Sequence, residues 1–169
     1  MTPFRRCLWT GAIAALTIGF DQATKAAAKA LLRSQPPVSF FGGTVQLLYT
    51  ENPGAFLSLG AGLSESARFG LFTLVVGGFL AGLFLYLCLS RSAARIEAAA
   101  LSLVLGGGIS NLIDRLLNHH RVIDFMVIGI GPLRTGIFNV ADVAITAGVG
   151  VLFWVSIRPP HRCQRRTRS

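Results

Sequence analysis

Four apolar runs, roughly Leu8 to Leu31, Phe69 to Leu89, Ile96 to Ile113 and Ile137 to Ile157, decide most of what this chain can become. Each is close to the ~20 residues that a helix needs to cross ~30 Å of hydrocarbon. Lipid offers backbone N–H and C=O groups no partner, so a spanning run of this length has to satisfy them internally, as a helix does. With 52% hydrophobic and 14% charged residues and a mean hydropathy of +0.59, the composition fits one integral membrane domain over 1–169 rather than a soluble core with an anchor. The expected fold is all-α, four transmembrane helices with a small extracytoplasmic β-sheet and loop subdomain. The first run could instead be a secretory signal, since Arg5 and Arg6 precede it and small residues follow around Ala26 to Ala30. Three later runs argue against that.

Basic residues set the expected orientation. Arg5 and Arg6 precede the first run, Arg91 and Arg95 fill the tight second connection, and Arg158, Arg162, Arg165, Arg166 and Arg168 crowd the tail. Positive loops stay inside, so both termini are expected in the cytoplasm, with outer loops 32–68 and 114–136 and a basic cytoplasmic tail 158–169. The outer side has seven basic residues of its own, so the tail carries the margin. A net charge of +9 could suggest nucleic acid, but no docking element accompanies it, and contact with anionic lipid explains it better. Cys7, Cys88 and Cys163 are odd in number, lack metal-ligand spacing and fall on the inner side, where free thiols are expected.

Within loop 32–68, Val45, Leu47 and Tyr49 alternate with Gln46 and Leu48 after a Gly42-Gly43 turn, which predicts a strand. Ser64 opens a predicted helix start, and Gly106, Gly107 and Gly108 predict close helix packing.

Only seven residues are acidic, and Asp21, Asp114, Asp124 and Asp142 lie in or beside the apolar runs. A carboxylate at mid-membrane costs ~2.5 to 3.5 kcal/mol on insertion scales, so such residues face a protein interior, a wet site or a partner charge. Asp21 and Lys25, four apart, share a helix face, as do Asn111, Asp114 and Arg115. Asn139 and Asp142 repeat the three-residue spacing, with Asp142 ~7 to 8 Å below Ile137 at 1.5 Å per residue. Under the expected topology all these groups, with Asp124 in the outer loop, gather at one membrane surface. Two carboxylates in one partly buried site share a proton, which places an acid beside a base able to hydrate an amide. A proton or cation carrier, a non-enzymatic scaffold glued by polar groups, and a serine-lysine dyad using Lys25 or Lys29 stay open on spacing alone. Histidines 119, 120 and 161 form no metal motif, and no Gly-x-Ser-x-Gly elbow occurs.

The residues resemble the lipoprotein signal peptidase (signal peptidase II) family. Asp21-Gln22-Ala23-Thr24-Lys25 is similar to its first motif, Asn52-Pro53-Gly54-Ala55-Phe56 to its second and Asn111-Leu112-Ile113-Asp114-Arg115 to its third. Val122-Ile123-Asp124-Phe125 and Phe138-Asn139-Val140-Ala141-Asp142 resemble the fourth and fifth. The resemblance implies an aspartic endopeptidase of the bacterial inner membrane; a monomer without metal or cofactor is expected. It would remove the signal peptide of a prolipoprotein on the N-terminal side of the diacylglyceryl-modified cysteine, with its site toward the extracytoplasmic face. Asp124 and Asp142 would be the catalytic pair, supported by Asp21, Lys25, Asn52, Gly54, Asn111, Arg115 and Asn139, while Asp114 would be a structural partner of Arg115. Arg115 and Asn52 would contact the lipid-cysteine region of the substrate. Ser110 and His120 stand where the family commonly has glycine.

Overall fold

The structure is a computed structural model that describes residues 2–54, 62–90 and 94–158. Ala55 and Phe56 of the second motif, Arg91, Cys163 and the tail arginines beyond Arg158 lie outside the described residues. Four long helices and a four-stranded antiparallel sheet alternate along the rest.

Helix α1 (Pro3–Leu32) is followed by β1 (Val38–Phe40) and β2 (Val45–Asn52). Helix α2 (Glu65–Leu89) starts where Ser64 Oγ accepts the Ala67 N–H at 3.3 Å, the cap that the sequence predicts. It widens into a π-helical stretch at Gly70–Val75 before continuing as an α-helix. Helix α3 (Arg95–Leu117) leads into β3 (Val122–Ile130) and β4 (Leu133–Arg134), and helix α4 (Val140–Ser156) closes the fold. By length and composition, α2 and α3 can each cross a membrane, and α4 is a shorter apolar helix. Leu16, Phe20, Leu74, Phe79, Leu85 and Phe153 are exposed on the helix flanks, an apolar perimeter that water would not favour.

The three consecutive glycines of α3 make it the hub. Successive helical residues point ~100° apart on a helix of 3.6 residues per turn, so each glycine addresses a different neighbour. A Cβ on Gly106 would fall 2.8 Å from Thr17 Cβ in α1, one on Gly107 would fall 2.6 Å from the Ala141 carbonyl oxygen in α4, and one on Gly108 would meet Leu80 of α2 at 2.6 Å. Gly148 of α4 returns the fit, 2.6 Å from the Ala100 oxygen. Backbones approach this closely only where side chains are missing, which is how helices gain contact area in lipid. Ala14, Leu80, Leu87, Ala98 and Leu105 form the apolar core around this hub.

In the sheet, Phe41, Gly42 and Gly43 take positive φ between β1 and β2, where glycine bears the left-handed conformation most easily. The pairing of β2 with β3 sets Thr50 opposite Asp124 and Asn52 opposite Val122, after an irregularity between Leu47 and Thr50. Val122, Ile123, Asp124 and Phe125 are all buried, so this end of β3 is covered on both faces. Met126 bridges to Phe138, which fastens the sheet to the start of α4.

Candidate active site

The base of the site is a buried ion cluster. Lys25 Nζ lies 2.7 Å from Asp21 Oδ2 and 2.8 Å from Asp114 Oδ2, and it donates to Asn111 Oδ1 at 2.8 Å. An ammonium has three N–H donors, and here three acceptors meet them. Asp21 in turn receives the Ala141 N–H at 2.7 Å and the Ser110 hydroxyl at 2.7 Å. Lys25 is 1% and Asp21 0% exposed; ions this deep persist only when paired and fully hydrogen-bonded. The cluster therefore joins α1, α3 and the first turn of α4.

Asn111 carries the network onward, because the acceptance of Lys25 by its oxygen fixes its amide and leaves Nδ2 to donate to Asp142 Oδ1 at 3.0 Å. Asn139 is the N-cap of α4: its Oδ1 accepts the Asp142 N–H at 3.0 Å, while Asp142 Oδ2 accepts the Asn139 N–H at 3.1 Å. This reciprocal cap holds the Asp142 side chain against the helix start. Asn139 Nδ2 donates to Asp124 Oδ1 at 2.7 Å, so one residue touches both carboxylates. The other Asp124 oxygen accepts from Asn52 Nδ2 at 2.9 Å. Asn52 Oδ1 accepts the Gly54 N–H at 2.9 Å, and the Gly54 carbonyl accepts from Arg115 at 2.8 Å.

Between the two carboxylates lies a cavity of about 20 Å³, lined by Asn52, Gly54, Asn111, Arg115, Val122, Asp124 and Asp142. That is room for roughly one water, which needs about 10–15 Å³. Burial pushes the Asp124 carboxyl up to about 6; the neighbouring Asp142 charge adds to this, while the Asn52 and Asn139 amides and Lys25 oppose it. Among the described residues, Asp21, Asp114, Asp124 and Asp142 face two cations, Lys25 and Arg115, so a proton shared between Asp124 and Asp142 would relieve the excess of negative charge. Among the described residues no cluster of three or more His, Cys, Asp or Glu is placed to hold a metal.

Three larger cavities open onto this centre. One of about 420 Å³ runs along Phe138, Asp142, Val143, Thr146 and Ala147, and one of about 380 Å³ lies among Phe72, Val76, Gly108, Asp142, Ile145 and Val149. Both are lined mainly by apolar groups and lead to Asp142. The third, about 340 Å³, reaches Asp124 past Thr50, Glu51, Asn52, Pro53, Gly136 and Ile137 on the sheet side.

All ten residues singled out in the sequence sit in this one network, with two differences in detail. Asp114 pairs with Lys25 and accepts the Ile123 N–H at 3.0 Å, whereas Arg115 binds the Gly54 and Asn111 carbonyls and stacks 5.6 Å over Phe72. Adjacent helical residues diverge by ~100°, so the expected Asp114–Arg115 partnership gives way to partners on separate faces. Asp142 stands in the first turn of α4, whose first residue is Val140, so it lies nearer the helix end than a helix begun at Ile137 would put it.

Sequence reasoning gave no role to Gln22 or Phe72 and marked Ser110 only as a departure from the family pattern. Gln22 Nε2 donates to Asp114 Oδ1 at 2.9 Å and to Ser110 Oγ at 3.0 Å. The hydroxyl at 110, a departure from the family pattern, thus serves the Asp21 cluster. Position 120, the other departure, has φ 64°, a conformation that glycine takes at least cost; its N–H closes the end of α3 on the Arg115 carbonyl at 2.9 Å.

A family profile described as "Signal peptidase (SPase) II" matches residues 13–158. A lipoprotein signal peptidase of Leifsonia xyli is 37% identical over 88% of this chain and 67% of its own length. One from Azoarcus sp. is 36% identical over 86% of this chain and 81% of its own. Two solved structures of bacterial membrane enzymes share the fold. They give a TM-score of 0.78 at 22% identity over 95% of this chain and 94% of theirs, and 0.73 at 23% identity over 88% and 92%.

Proposed function

The chain belongs to the signal peptidase II family, membrane-embedded aspartic peptidases, and from that premise we propose that Asp124 and Asp142 activate the water that cuts a prolipoprotein. The observation that carries the proposal is the water-sized space bounded by both carboxylates. In this reading the pair holds one proton, weighted toward Asp124. The ionised partner takes a proton from water as its oxygen attacks the scissile carbonyl, the protonated partner donates to the carbonyl oxygen, and a proton then passes to the leaving amine. Asn139 and Asn52 orient Asp124, and Asn139 and Asn111 orient Asp142. Asp21, Lys25 and Asp114 hold the helices that present them. Arg115 Nε is buried without a partner among the described residues, so the guanidinium has a donor left for a substrate carbonyl beside Gly54.

The cut is assigned to the N-terminal side of the diacylglyceryl-modified cysteine. The two apolar cavities that meet at Asp142 suit acyl chains and the apolar signal helix, while the cavity beside Asp124 suits the polar mature segment. The chain is read as a monomer with four spans, α1 to α4, in the bacterial inner membrane, with both termini cytoplasmic, the sheet on the extracytoplasmic side and no cofactor.

Asp124→Asn and Asp142→Asn should each lower cleavage of a lipidated precursor by at least ~10²- to 10⁴-fold, the usual worth of a positioned acid or base. Thermal unfolding of both variants, followed in parallel, separates lost chemistry from lost structure. Wild-type turnover in either variant would overturn the assignment.

A further inference from the structure

Two thiols meet at the end of the helix bundle away from the carboxylates. Cys7 lies early in α1 and Cys88 one residue before the end of α2, yet their sulfurs are 2.7 Å apart, with Cys88 donating to Cys7. Both are half-buried free cysteines. Nothing in the proposed peptide chemistry uses them. The backbone around them is held in place, because the Arg6 guanidinium donates to the carbonyl of Ser90, the residue that caps α2.

We infer that Cys7 and Cys88 form a reversible disulfide that braces the N-terminal end of α1 against the C-terminal end of α2. The oxidant class is a small-molecule disulfide such as oxidised glutathione. One cysteine thiolate attacks the small disulfide, whose S–S bond breaks to release one small thiol. The second cysteine thiolate then attacks the protein sulfur of the mixed disulfide and releases the other. The protein pair gives up two electrons, and the two thiol protons leave on the two small thiols. Closing from 2.7 Å to the ~2.05 Å of an S–S bond asks for little movement of either helix. In the orientation proposed above this end faces the cytoplasm, where protein disulfides are transient and responsive to redox state. The brace is independent of the cleavage reading.

The test uses the full chain reconstituted in phosphatidylethanolamine and phosphatidylglycerol vesicles, treated with oxidised glutathione, alkylated without reduction, digested and mapped by mass spectrometry. The expected product links the Cys7 and Cys88 peptides, two hydrogens lighter than their sum, with Cys163 still alkylated and the link cleaved by dithiothreitol. Cys163→Ser should leave the link intact, and Cys7→Ser or Cys88→Ser should abolish it. Recovery of Cys7 and Cys88 as separately alkylated or glutathionylated peptides in the wild type, or a link from either to Cys163 instead, would overturn the inference.

Discussion

Lys25 does for this site what a metal does elsewhere, gathering acceptors from separate helices around one positive charge. Replacing it with Met leaves Asp21 and Asp114 buried without their cation, and breaking a buried pair in this way costs about 3–5 kcal/mol. The variant is therefore expected to unfold at much lower temperature in detergent, whereas Lys29→Met serves as a comparison outside the cluster. The Asp124 carboxyl yields a second expectation. Burial lifts it to about 6 from the usual 3.8, so under the proposed mechanism free enzyme would lose the dyad's proton as pH rises through about 6, and kcat/KM should fall along that limb. Bound substrate excludes water and raises a buried acid further, so the corresponding limb in kcat should lie at higher pH; coincident limbs in the two profiles would count against a proton held on Asp124. The carboxylates of the site were legible in the sequence because ionisable groups in apolar runs are costly enough to stand out, and Asn111 and Asn139 because each stands three residues before an aspartate. Ser110 and Gln22 were not, since a hydroxyl or amide in a helix costs little and its partner lies 88 positions away. Asp114 was given the wrong partner for a related reason: sequence adjacency says nothing about which helix a side chain will face.

Among the elements, α3 has the least freedom. Gly107→Ala puts a methyl 2.6 Å from the Ala141 oxygen, so α4 has to shift at the turn that carries Asp142. Overpacking of this kind costs typically 1–3 kcal/mol, and kcat should drop along with thermal stability. Gly150→Ala, with nothing within 4 Å, should be neutral or gain up to ~1 kcal/mol of helix propensity, which a melting curve of each variant would show. The alternation in Val45–Tyr49 exposes β2 to sequence reading, but β3 is harder to find. Its first four residues are all buried, so Val122-Ile123-Asp124-Phe125 has no exposed face to produce an alternating pattern, and the stretch reads only as an apolar loop. The ends of α3 and α4 were likewise blurred, because caps such as Asn139 show themselves only once their hydrogen bonds are known.

For the molecule as a whole, the site lies where the helix bundle meets the sheet, and the cavities divide along that boundary: two on the bundle side reach Asp142 and one on the sheet side reaches Asp124. Thr146 lines both apolar cavities, so Thr146→Trp should block the lipid side and raise KM for a diacylated precursor while leaving the dyad's hydrogen bonds alone. A tenfold rise in KM corresponds to 1.4 kcal/mol of lost binding; an unchanged KM would argue that acyl chains lie elsewhere. The helices in lipid could be read from run length and composition and the small sheet from the alternation in Val45–Tyr49, but the partners on α3 and α4 that receive the charged face of α1 could not. That charge has a bearing on how the protein is made. In the four-span arrangement proposed above, α1 would emerge before α3 during synthesis, so Asp21 and Lys25 would enter the bilayer without Asp114 or Ser110 to receive them. Their one-turn spacing lets them neutralise each other within a single nascent helix, which spares the translocation machinery two unpaired ions at once. In that arrangement the contact that anchors the folded site would act first as a passport for insertion.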